Sequence, residues 1–225
     1  MKGTTFFSIC LITGILLAGC ATSAPVNTAA PADTAAPVNT TVPVNTPGPL
    51  NTTTIDLTNV SLQTGDLPAG FHQFTDAEIQ SMGIADLMSM TKSMVSAMVK
   101  PFAGTANLVK TDIYGKDPKT VDFLVDTFFY PLSPMVIAEI DMGFSNPTII
   151  GQFLKGAQVR TDMGGIGNKS IGLTAVVQGF NLNLLVFRRN TTMIVLVEVN
   201  QSGTFNMDLK AIGQKMDEYV LAAYK

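Results

Sequence analysis

Apolar side chains spaced three and four residues apart predict several helices in the second part of the chain. The longest covers residues 84–99 and ends before Pro101, and an amphipathic helix over residues 207–223 closes the chain. Shorter helices are indicated by their start signals, which are Thr75 or Asp76 with Glu78 in the first turn, Pro134, and Asn146 followed by Pro147.

Alternating or continuous apolar runs predict five strands. Residues 107–114 and 121–130 form the first two, joined by a hairpin loop at residues 115–119. The second of these alternates as a half-buried strand does, and Asp122 and Asp126 fall on the same side of it. The last three strands form a meander, with 193–197 as its most buried run, and cover residues 172–177, 181–188 and 193–200.

Helices and strands come in blocks, which favours the α+β class. We expect one mainly antiparallel sheet with a three-strand C-terminal meander and helices packed on one face. Residues 55–225 are predicted to be a single domain, because roughly 170 residues can bury a core without disulfides or metal.

A low-complexity spacer precedes this domain. Within residues 20–54 the pattern Pro-x-Asn/Asp-Thr occurs five times with a period of six. The repeat is too short and too polar to bury a core, so an extended chain of about 3.1 Å per residue is expected. A plain spacer is the favoured interpretation, and an O-glycosylated or protein-binding stalk remains the alternative.

Residues 1–19 have the features of a secretory signal, with Lys2 before a short apolar run. The run ends in Leu17-Ala18-Gly19-Cys20, which resembles the lipobox of bacterial lipoprotein precursors. The resemblance implies that Cys20 receives a diacylglyceryl group and that cleavage occurs just before it. The partner would then be a membrane, at the outer face of the cytoplasmic membrane or at the outer membrane. An uncleaved N-terminal helix and an ordinary signal peptide are the alternatives.

The domain itself is similar to a group of uncharacterised bacterial extracytoplasmic domains found on lipoproteins and sensor receptors. The resemblance rests on a terminal amphipathic helix and on the motifs Leu67-Pro68-x-Gly70-Phe71, Gly165-Ile166-Gly167-Asn168-Lys169-Ser170-Ile171-Gly172-Leu173 and Val186-Phe187-Arg188-Arg189-Asn190. These are glycines and core positions, so the resemblance implies fold and location and transfers no catalytic residue.

Composition narrows the function classes. Lys2 and Asp33 lie outside the domain, so of 14 Lys/Arg and 17 Asp/Glu it keeps thirteen and sixteen. This mildly acidic balance, without a basic stripe, argues against a nucleic-acid partner. Cys10 would leave with the signal and Cys20 would carry lipid, which excludes cysteine nucleophiles and zinc-finger sites.

Met90, Met94 and Met98 share one side of the predicted 84–99 helix. Thioethers can bind Cu(I), but such sites usually add His or Cys. We therefore favour a core role over an apolar ligand groove, and that groove over copper, and expect no cofactor.

The other candidate groups favour ordinary structural roles. The glycines before Lys169 lack phosphate-loop spacing and predict a turn before a strand. His72 stands alone, the two acids of residues 121–130 suit a solvated strand face, and Arg188 and Arg189 suit an exposed hairpin tip. These observations favour a non-catalytic, lipid-anchored domain that binds an apolar ligand or an envelope protein. A structural envelope protein is the alternative, and a hydrolase or copper-handling protein is least favoured.

Overall fold

The computed structural model describes residues 55–82, 107–146, 156–177 and 179–224. They belong to one compact unit, Asn51–Lys225. In chain order the elements are β1 (His72–Gln73), α1 (Asp76–Ser81), β2 (Asn107–Gly115), β3 (Asp122–Tyr130), α2 (Pro134–Ser145), β4 (Gln158–Arg160), β5 (Lys169–Val177), β6 (Phe180–Arg189), β7 (Thr192–Asn200) and α3 (Leu209–Ala223).

The strands form a seven-stranded sheet in the order β1-β2-β3-β7-β6-β5-β4, and every neighbouring pair is antiparallel. Strands β5, β6 and β7 are consecutive neighbours, which confirms the predicted meander and the α+β class. The β6–β7 turn uses Asn190 at φ +50°, a left-handed conformation that asparagine tolerates better than most residues.

Side-chain caps start each of the α-helices that the structure describes. Thr75 accepts a hydrogen bond from the Glu78 N–H, and Glu78 bonds back to the Thr75 N–H, so α1 begins with a full capping box. Ser133 caps α2 and Asp208 caps α3. The start signals read from Thr75 and Pro134 are therefore confirmed.

The sheet carries a separate apolar core on each face. On the α3 face, Leu185, Phe187 and Leu196 pack with Met216 and Val220 of α3. The N-terminal segment (residues 55–62) joins this core through the buried side chains Ile55, Leu57, Val60 and Leu62.

The α2 face holds the other core, in which Leu184, Val186 and Val195 pack with Val136 and Ile140 of α2. We expected the helices on one face of the sheet, whereas the structure divides α2 and α3 between the two faces. The reason is that the central strands are apolar on both sides, so each face needs its own cover.

Strand β3 is buried on both faces, so the half-buried interpretation of residues 121–130 is wrong. It lies between β2 and β7, and its alternate side chains enter the two different cores. The predicted helix 84–99 and the helix after Asn146 lie outside the described residues. Among the helices that the structure describes, none is long and apolar enough to cross a membrane.

Candidate functional site

A group of polar side chains lies on the α3 face, beneath the N-terminal segment. Antiparallel pairing of β2 with β3 places Asp112 opposite Asp126 and Tyr114 opposite Leu124. From Lys110 onward, after a register shift between Leu108 and Lys110, even-numbered side chains of both strands therefore point to the same face. We call this group the Asp126 network, and its members are Ser61, Lys110, Asp112, Tyr114 and Asp126.

Asp126 is wholly buried and accepts two hydrogen bonds. The Tyr114 hydroxyl donates to Asp126 Oδ2 at 2.9 Å, and the Asp112 backbone N–H donates to Asp126 Oδ1 at 3.0 Å. The Tyr114 oxygen accepts the Leu62 N–H at 3.3 Å. A single tyrosine hydroxyl thus connects the N-terminal segment to the buried acid.

Asp112 is the second carboxylate of the network. Lys110 Nζ lies 2.6 Å from Asp112 Oδ2, and the Ser61 hydroxyl donates to the same oxygen at 2.9 Å. Lys110 also donates to Ser61 Oγ at 2.7 Å, and its ammonium lies 5.4 Å from the centroid of the Phe128 ring. The N-terminal segment is therefore held to β2 by hydrogen bonds between Ser61 and the partly buried Lys110–Asp112 ion pair, as well as by apolar contacts.

The network has two carboxyl groups but only one ammonium. Burial, and next the nearby charge of Asp112, raise the pKa of Asp126 to about 7. Burial and the two neighbouring acids also raise the pKa of Tyr114, so its hydroxyl stays protonated. The arrangement can hold one extra proton near neutral pH, and the burial of Asp126 keeps that proton away from any substrate in solvent.

A second buried acid, Glu198, organises the approach to α3. Glu198 Oε1 accepts the N–H groups of Asn206 at 2.7 Å and Met207 at 3.2 Å, and Oε2 accepts from Asn183 at 3.0 Å. Burial raises the pKa of Glu198. Asp122 lies nearby, and its Oδ1 is a buried oxygen without a hydrogen-bond partner among the described residues. The prediction of a solvated face is therefore wrong for Asp126, which is fully buried, whereas Asp122 is partly exposed.

Arg188 and Arg189 are not an exposed pair. The Arg188 guanidinium donates two hydrogen bonds to the Asp141 carboxylate of α2, from Nε at 2.9 Å and from Nη2 at 2.7 Å. It also donates to the Asn190 carbonyl at 2.8 Å. Arg189 forms a two-point ion pair with Asp217 of α3, through Nε at 2.7 Å and through Nη2. Consecutive strand residues point to opposite faces, so Arg188 holds α2 on one face of the sheet and Arg189 holds α3 on the other.

The glycine-rich loop before β5 forms the predicted turn. Gly167 has φ +63°, and a Cβ there would overlap the Arg188 carbonyl oxygen. Its N–H donates to Asp217 Oδ2 at 3.2 Å, and the Asn168 N–H donates to the Arg188 carbonyl at 2.7 Å. Both amide groups are thus engaged by the protein itself, which supports a structural turn.

The remaining candidates separate into two groups. His72 Nε2 lies 3.0 Å from Glu78 Oε1, and the histidine ring packs edge-on against Phe74. These contacts fasten β1 to the start of α1. The lipidation candidate and the methionine candidates, Cys20, Met90, Met94 and Met98, lie outside the described residues.

Sequence reasoning missed the Asp126 network. The alternation Lys110-x-Asp112-x-Tyr114 was the available signal, because three polar side chains on one side of a strand need partners if that side is covered. Only the β2–β3 register and the overlying N-terminal segment reveal the partners.

Comparison of the chain with protein-family models, with curated proteins and with solved structures finds no match. Within the described ranges, no group of three or more His, Cys, Asp or Glu side chains is arranged to hold a metal ion.

Proposed function

We propose that this chain is a lipid-anchored surface lipoprotein of the bacterial cell envelope, whose domain binds a ligand or partner without catalysing a reaction. The observation that carries the proposal is Leu17-Ala18-Gly19-Cys20, placed after a charged start and a short apolar run. A repeat spacer follows Cys20 directly, as a tether between a membrane and a folded domain requires.

The arrangement of the domain supports a binding or structural role. Its conspicuous charged groups are committed to holding elements together: Lys110 and Asp112 hold the N-terminal segment, and Arg188 and Arg189 hold the two helices. Their hydrogen-bonding capacity is used within the fold, which favours recognition by surface contacts over acid–base chemistry.

A protein partner from the envelope has a specific observation in its favour. Met135 and Met142 on α2 are 68% and 60% exposed. They are seven residues apart, so they share one outward side of the helix with Ala138. Exposed methionines suit adaptable protein contacts. Instead of a protein partner, the domain could bind an apolar ligand through Met90, Met94 and Met98. Lipid that copurifies with the protein would support this second version of the proposal.

The two cysteines provide a matched test of the anchor. Cells expressing Cys20→Ser, Cys10→Ser or the unchanged chain are fed an alkyne-labelled fatty acid and then fractionated. We expect Cys20→Ser to lose the label and to leave the membrane fraction or accumulate as precursor. Cys10→Ser should behave like the unchanged chain, because Cys10 lies within the signal. Labelling of Cys20→Ser at the unchanged level would overturn the proposal.

A further inference from the structure

We propose that the N-terminal segment is a proton-operated latch, which is closed on the sheet while Asp126 holds a proton and loosens when that proton leaves. The proposal stands on the geometry of the Asp126 network. A buried acid, a tyrosine hydroxyl and a backbone N–H form a continuous chain from the sheet to residue 62.

The protonated network satisfies all of its polar groups. Once protonated, the Asp126 carboxyl donates to the Tyr114 oxygen across the same 2.9 Å contact, which reverses the direction of that hydrogen bond, and the tyrosine proton then goes to Asp112 Oδ2, 3.3 Å away. The tyrosine oxygen has a second lone pair for the Leu62 N–H. One ammonium, Lys110, then balances one carboxylate, Asp112, and the buried group is electrically neutral.

Loss of the proton disturbs this balance in two ways. The Tyr114 hydroxyl must now donate to Asp126, so Asp112 loses a donor. The network also gains a net negative charge where little water reaches it, and unpaired buried charge is costly. Movement of the N-terminal segment relieves both, because it admits water to Tyr114 and Asp126.

Among the described residues, the other elements around Asp126 offer no counter-charge. The residue of β7 that pairs with Asp126 is Leu196, which is uncharged. The acid of that strand, Glu198, has Asp122 as its charged neighbour. From α3, the side chains packed on this face are apolar, Met216 and Val220 among them.

The other charged groups that the structure describes on α3 and in the N-terminal region act elsewhere, and they include Lys210, whose charge acts on Asp162. Asp217 pairs with Arg189, Lys215 pairs with Glu218, and the Tyr219 hydroxyl donates to Asp66, whereas Asp56 is exposed and accepts the Thr58 N–H. Within the part of the chain that the structure describes, the groups that respond to the titration of Asp126 are therefore those of the network itself.

Release would also change the reach of the domain. The segment has eight residues, each spanning about 3.3 Å when extended, so opening would lengthen the connection by roughly 25 Å. This consequence for a tethered domain rests on the proposed function. The latch does not, and it is tested on purified protein, so its failure would leave the anchor proposal standing.

Hydrogen exchange read by mass spectrometry tests the latch on the full-length chain at about pH 5.5 and about pH 8.5, after correction for intrinsic exchange rates. We expect protection of residues 57–62 to fall by at least about tenfold at the higher pH. Asp126→Asn, which mimics the protonated acid, should keep its protection. Glu198→Gln, which neutralises another buried acid on the same face, should respond like the unchanged chain.

Unchanged protection across the pH range in the natural chain would overturn the proposal, and so would an equal loss of protection in Asp126→Asn. If that variant does not fold, an NMR titration of the natural chain decides the question. The Leu62 amide resonance and the Asp126 carboxyl should titrate with a common midpoint, and midpoints separated by more than about one pH unit would refute the latch.

Discussion

Neutralising Asp126 should change how stability depends on pH. The pKa of Asp126 is about 7 in the folded chain, against an ordinary value of 3.8, because the carboxyl is buried beside Asp112. The folded state therefore binds this proton more tightly than the unfolded state does. The resulting stabilisation is fully present below about pH 4, falls as pH rises towards 7, and is lost above it.

The size of the effect follows from the shift. About three pKa units at 1.36 kcal/mol each correspond to ~4 kcal/mol of unfolding free energy. Loosening of the N-terminal segment would rehydrate the carboxylate and limit the loss, so this figure is an upper bound. Asp126→Asn removes the titrating group while keeping a side chain of the same shape, with one acceptor for the Asp112 N–H and a donor for Tyr114.

Urea unfolding of both proteins, followed by circular dichroism from about pH 4 to pH 8.5, provides the measurement. We expect the stability of Asp126→Asn relative to the natural chain to rise by up to ~4 kcal/mol across this range. Titrating groups outside the Asp126 network, Glu198 included, contribute equally to both proteins and cancel in the difference. Parallel stability curves would refute the reasoning, because they would show that Asp126 titrates alike in the folded and unfolded chains.

Two further predictions concern the Arg188 ion pair with α2 and the glycine-rich loop before β5. Arg188→Lys keeps the charge but loses the two-point hydrogen bonding to Asp141, and should cost about 1–2 kcal/mol of unfolding free energy. Lys215→Ala, at an exposed ion pair, should have a much smaller effect, and equal losses would contradict the role of Arg188 in holding α2. Gly167→Ala should cost at least about 2 kcal/mol of unfolding free energy, because it combines a positive φ with overlap on a backbone carbonyl. Gly165→Ala has the positive φ but open space around the added Cβ, so it should cost about 1 kcal/mol. Thermal unfolding distinguishes the two variants, and equal losses would refute the packing argument.

Much of the sheet could be predicted from local pattern. The predicted strand at residues 193–200 corresponds to Thr192–Asn200, and the one at 181–188 corresponds to Phe180–Arg189. Apolar periodicity and turn residues determine such elements over short distances along the chain. The capping signal at Thr75 is equally local, which explains why it located α1 correctly.

The burial of the polar residues depended on long-range contacts. Asp126 is buried because β7 pairs with the far side of β3 and the N-terminal segment covers the face, and no local pattern reports either contact. Arg188 and Arg189 were misjudged for the same reason. Their carboxylate partners lie 47 and 28 residues away in sequence, on two different helices.

The lipid anchor at Cys20 can be checked by mass spectrometry of the protein recovered from membranes. We expect an N-terminal peptide that begins at Cys20 and carries a diacylglyceryl group on its sulfur. A peptide that runs unbroken from residue 19 into Cys20, or one with a free Cys20 thiol, would contradict it.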